Sequence, residues 1–99
     1  MMRVDAFARS LSAAAPPERA NLALQALWWA GKGEWERAHR CAQQGEGDPG
    51  SDLVHAYLHR QESDTANARY WYRRVGQSLP AMGLPEEWNA IAAQSLSPS

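Results

Sequence analysis

Apolar positions recur at helical spacing along most of this chain, and nowhere in the sustained alternation of a half-buried strand. Val4, Phe7, Ala8 and Leu11 fall on one side of a helix expected over residues 3–14, which Pro16 and Pro17 end. Pro17 and Glu18 suit the first turn of a second helix, running to about residue 30. Its apolar residues Leu22, Leu24, Ala26, Leu27, Trp28 and Trp29 wrap most of its circumference, so it is expected between neighbours. Gly31-Lys32-Gly33 reads as a stop and turn before a third helix over residues 34–44. There Trp35, Ala38, His39 and Ala42 share a side. Residues 45–50 (Gly-Glu-Gly-Asp-Pro-Gly) form the clearest loop. Ser51 is the expected N-cap of a fourth helix reaching about residue 61. Ser63 or Asp64 caps a fifth helix to about residue 75, with Ala68, Trp71, Tyr72 and Val75 on one face. After a linker over residues 77–84, Pro85-Glu86-Glu87 opens a last short helix carrying Trp88 and Ile91, and residues 95–99 are expected to fray. The pattern therefore predicts one all-α domain over residues 1–94. Its centre is a pair of antiparallel helical hairpins at about 17–44 and 51–76, flanked by terminal helices.

The two hairpins nearly repeat each other. Residues 26–38 run small, bulky, bulky, polar turn, acid, Ala, and residues 56–68 do the same about 30 positions later. Periods of this size mark stacked helical hairpins. Ala26 and Ala38, like Ala56 and Ala68, fall where a small side chain lets two helices cross closely. With Ala56, the Ser63-Asp64 turn, Ala68 and the aromatic Tyr72, residues 55–75 resemble tetratricopeptide and Sel1-like repeats. Pro80 sits where such a repeat closes. The first copy matches at Ala26, Gly33-Glu34 and Ala38, but carries Ala42 in place of the aromatic. The period is shorter than the usual ~34 residues, and the leading Trp of the pattern is missing from both copies. The resemblance covers residues 22–80 and implies a right-handed two-repeat array that binds a protein or peptide partner. An array without polar end caps leaves homodimerisation open as a way to cover its edges.

Composition narrows the field by exclusion. A net charge of −1 supplies no drive toward nucleic acid or an anionic membrane surface. The single cysteine, Cys41, has no internal partner and fits a reducing, cytoplasmic setting as a small packing residue. No stretch is long and apolar enough to span a bilayer, and no continuous apolar run near the start suggests a secretory signal. Bulk comes from alanines packed with five Trp and three Tyr rather than from aliphatic residues. Trp28 and Trp71 are expected to fill gaps between helices, while Trp29, Trp35 and Trp88 are open to either a packing or an anchoring role.

The candidate chemistry lies in the histidines. His55 and His59 stand four apart on the fourth helix, so their rings lie one above the other, with Asp52 and Glu62 extending the stripe. If the third helix packs beside the fourth, His39 joins them. Three imidazoles with an open position would suit zinc or another divalent transition metal. The plain alternative is a set of hydrogen bonds between helices or a polar groove. A second candidate is Arg69-Tyr70-Trp71-Tyr72-Arg73-Arg74, where helical geometry sends Trp71 and Tyr72 inward and Tyr70 outward among arginines. An RNA-associated role through Arg69, Arg73 and Arg74 is the weaker alternative. No nucleophile stands out, and catalysis is not expected. The leading expectation is a non-enzymatic binding module using His39, Asp52, His55, His59 and Tyr70 around the fourth helix. A metal-binding or enzyme-like protein using His39, His55 and His59 is the alternative.

Overall fold

The computed structural model describes residues 2–96. Its elements are α1 (Val4–Arg9), a 3-10 turn (Ser10–Ser12), α2 (Leu22–Gly31), α3 (Trp35–Gln44), α4 (Pro49–Gln61), α5 (Thr65–Arg74) and α6 (Leu84–Leu96), with no strand among the described residues. None of these helices is long and apolar enough to cross a membrane.

Side-chain oxygens decide several boundaries. The Ser10 hydroxyl donates to the Phe7 carbonyl (2.5 Å) and that of Ser12 to the Arg9 carbonyl (3.1 Å). These bonds draw the end of the first helix into a 3-10 turn, short of the residue 14 expected. Residues after Pro17 form a turn, closed by Ala20 N–H on the Pro17 carbonyl (3.0 Å), rather than a first helical turn. α2 starts instead at Leu22, because the Asn21 side chain accepts from the Leu24 N–H (2.9 Å). Ser51 is not the cap of α4. Asp48 accepts from the Ser51 N–H (3.1 Å), Pro49 takes the first helical position, and Ser51 is buried inside the first turn. Asp64 caps α5.

The two helix-to-helix turns carry the same hydrogen bonds 30 residues apart. Lys32, Gly33 and Glu34 N–H groups donate to the carbonyls of Trp28, Ala30 and Trp29 (3.1, 3.1 and 2.9 Å). Glu62, Ser63 and Asp64 donate to those of Leu58, Arg60 and His59 (3.2, 3.0 and 2.9 Å). The backbone is left-handed at Gly33 (φ 80°) and again at Ser63 (φ 65°).

Packing follows from the alanines. Ala26, Ala38, Ala56 and Ala68 have no exposed surface. The largest interfaces are those of α2 with α3 and of α4 with α5. α4 also meets α2, α3 and α6, while α6 lies against both α2 and α4 and α1 leans on α6. α4 is therefore the central helix, buried at every position from 51 to 59. It presents no open face there.

α6 is held by a buried carboxylate. Glu87, in its first turn, accepts from the Tyr72 hydroxyl and from Arg60 Nη1, both at 2.6 Å. Burial, with the bond to Glu87, holds the Tyr72 phenol far above its ordinary pKa, so it stays a donor. Trp88 Nε1 donates to the Leu27 carbonyl (2.8 Å). Anchored in this way, and with Ile91 and Ala92 buried, the last helix continues through Ser95 to Leu96. Residues 97–99, the rest of the segment expected to fray, lie outside the described residues.

A Cβ at Gly33 would meet nothing within 4 Å, so Gly33→Ala isolates the backbone cost of φ 80°. That cost is about 1 kcal/mol. Urea denaturation is expected to show this loss for Gly33→Ala and no loss for Ser63→Gly. An unchanged Gly33→Ala protein would contradict the account of the turn.

Candidate metal centre

Three imidazoles meet where α3 packs on α4. Ala38 and Ala42 are the buried residues of α3, and His39, one residue past Ala38, reaches His55 on α4. His39 Nε2 lies 3.1 Å from His55 Nε2. Ring centroids are 4.7 Å apart for His39–His55, 5.4 Å for His39–His59 and 4.9 Å for His55–His59. One nitrogen from each ring falls within 4.8 Å of the others.

Indoles wall the group on two sides. Trp35 stacks on His39 (4.7 Å, 14° between planes), and Trp71 stacks on His55 (3.9 Å, 16°). Trp35 is fixed by its Nε1–H, which donates to the Leu58 carbonyl at 2.9 Å. The Arg74 guanidinium covers the Trp71 ring at 4.7 Å.

The protonation of the group is constrained. Two imidazolium rings would aim N–H groups at each other across the 3.1 Å contact, so at least one of His39 and His55 is neutral. Burial, then the neighbouring His39, His59 and Arg74, push His55 down to about 4. Burial and His59 also lower His39, against a smaller opposing pull from Glu36 and Glu62. His59 Nδ1 lies 2.7 Å from Glu62 Oε2. A carboxylate only accepts, so Nδ1 carries a proton there, and Nε2 is the nitrogen that Glu62 leaves unengaged. His55 Nδ1 is buried without a hydrogen-bond partner.

The group has the donor set of a metal site. Zinc–nitrogen bonds of about 2.0–2.1 Å at tetrahedral angles put neighbouring ligand nitrogens about 3.4 Å apart. The His39–His55 pair is already near that spacing, and a His59 nitrogen lies within 4.8 Å of both. Glu62 has the place of the carboxylate that orients a ligating imidazole through its far nitrogen.

Asp52 and Tyr70 stand apart from the trio. Asp52 is buried, but its carboxylate accepts from the Gly47 N–H (3.2 Å) and pairs with Arg74 (3.8 Å), bracing the loop before α4. Tyr70 is 49% exposed and meets Trp71 edge-on (5.3 Å, 88°), one ring removed from His55. Arg69 and Arg73 line a shallow groove with Gln77, Ser78 and Leu79 away from the imidazoles, while Arg74 is committed to Asp52. The indole walls and the Glu62 bond were not assigned from sequence. Trp35 four residues before His39 was the available signal for one wall; Trp71 over His55 is a contact between helices that no local spacing encodes.

No protein-family model matches the chain, and neither a curated protein nor a solved structure is detectably similar to it.

The lowered imidazole pKa values make stability depend on pH. Unfolded, His55 takes a proton near 6.5; folded, only near 4. Between those values the unfolded chain binds more protons, so this contribution is complete above pH 6.5 and is lost as pH falls toward 4. The shift corresponds to about 3 kcal/mol, and His39 acts in the same direction. Urea midpoints are expected to drop from pH 7 to pH 4.5, with a smaller drop in His55→Gln. Equal pH dependence in both proteins would contradict the assignment to His55.

Proposed function

We propose that this chain is a transition-metal-binding helical module in which His39, His55 and His59 hold one divalent ion, zinc or a neighbour of similar ligand preference. The convergence of the three imidazoles carries the reading. Two further observations support it. Burial keeps His39 and His55 neutral at physiological pH, the state a ligand must have, so binding there displaces few protons. Glu62 holds a His59 proton on Nδ1 and leaves Nε2 unengaged.

The scaffold, in this reading, is a two-repeat array of the tetratricopeptide or Sel1-like kind, supported by the 30-residue recurrence of the turn hydrogen bonds. That recurrence also supports a second reading, a protein- or peptide-binding module. Because α4 is buried over residues 51–59, a partner would have to engage the outer face of α5 around Tyr70 rather than α4 itself.

Isothermal titration of the metal-free protein with zinc, and separately with nickel, tests the metal reading. One ion per chain is expected. Glu62→Gln should weaken binding about 10- to 100-fold through loss of the orienting carboxylate. His55→Ala should weaken it further. Absence of binding in wild-type protein, or affinity unaltered by His55→Ala, would overturn the reading.

A further inference from the structure

α3 packs broadly on its hairpin partner α2 but less extensively on α4. Its buried side chains are Ala38 and Ala42 alone. The helix 30 residues later, α5, buries Ala68 together with the large rings of Trp71 and Tyr72. Cys41 and Ala42 stand in α3 where those two rings stand in α5. The attachment of α3 to α4 therefore leans on polar and aromatic groups: the Trp35 indole N–H on the Leu58 carbonyl, and His39 against His55 and His59. Left-handed glycines bracket the helix, Gly33 (φ 80°) before it and Gly47 (φ 100°) after it.

The ligands divide unevenly across this seam. His55 and His59 share α4, at a spacing that can hold an ion without help. His39 is the trio's sole contribution from α3. An ion bound by all three rings is a cross-link across the smaller of the two interfaces that α3 makes with its neighbours.

Resting on the metal reading above, we infer that the site regulates the docking of α3: metal binding closes α3 onto α4, and metal loss frees it to open locally. The seam is also the boundary between the two hairpins, so the ion sets how firmly the first hairpin's outer helix is held to the second. Linkage makes the claim quantitative. When α3 opens with the ion still on the α4 pair, opening is disfavoured by the ratio of three-imidazole to two-imidazole affinity. Removing His39 by mutation measures that same ratio.

Amide hydrogen exchange of the wild-type protein, metal-free and zinc-saturated, is the test, read beside zinc titrations of wild type and His39→Ala. His39 is half-buried and alanine is a strong helix former, so the variant is expected to fold, checked by its helical circular dichroism. Zinc should raise the protection of amides in residues 38–44 on the order of 10- to 100-fold, by the factor that His39→Ala loses in zinc affinity. Amides of α1, which leans on α6 and holds no ligand, should gain less. Tight zinc binding with no selective gain in α3 would overturn the docking inference while leaving the metal reading intact; it would mean that the ion sits on the α4 pair. Failure of wild type to bind zinc would overturn both.

Discussion

Four alanines set the distances on which the rest of the molecule depends. Ala26, Ala38, Ala56 and Ala68 have no exposed surface, and any larger side chain there would force the helix axes apart. His39, the residue after buried Ala38, has its ring 3.1 Å from His55. On the same helix Trp35 reaches the Leu58 carbonyl and stacks on His39. Small residues at the crossings thus do two things at once: they leave room that large aromatic rings fill elsewhere, and they bring titratable groups into contact across a helix seam.

The two copies of the hairpin differ where chemistry enters. His55 and His59 stand where the first copy has Gln25 and Trp29, and His39 stands where the second has Arg69. The shared positions keep the backbone: the same turn hydrogen bonds, the same left-handed residue, the same buried alanines. Divergence at Cys41 and Ala42 against Trp71 and Tyr72 has a structural consequence of its own, because it leaves α3 without the large buried rings that α5 carries. A polar cluster at a lightly packed seam is a poor source of stability when empty and a strong one when an ion satisfies it.

Much of this was legible in the chain. Helical periodicity gave α3 and α5 nearly to the residue, because each follows a turn with strong stop and cap chemistry. The spacing of His55 and His59, with His39 on the inward face of α3, raised a meeting of the three rings without deciding it, because the packing of α3 beside α4 had to be assumed. Other features depend on contacts that periodicity does not encode. Pro17 is a good helix opener, but Asn21 is a better cap four residues later. Ser51 has the side chain of a cap, but Asp48 before Pro49 captures its N–H first. Glu87 reads as an ordinary acid in a first helical turn, and only the three-dimensional fold brings Arg60 and Tyr72 onto it. The centrality of α4 was equally hidden. Its polar residues suggested a surface, whereas its histidines and Asp52 are buried with partners from α3, α5 and the preceding loop.

The central claim is that one ion joins three imidazoles across the α3–α4 seam, and long-range proton–nitrogen correlation of the histidine rings in zinc-loaded protein tests it most directly. The account predicts that the Nε2 resonances of His39, His55 and His59 all take the shift of a zinc-bound nitrogen, with the His59 proton remaining on Nδ1 beside Glu62. Zinc shifts confined to His55 and His59, or absent from all three, would contradict it.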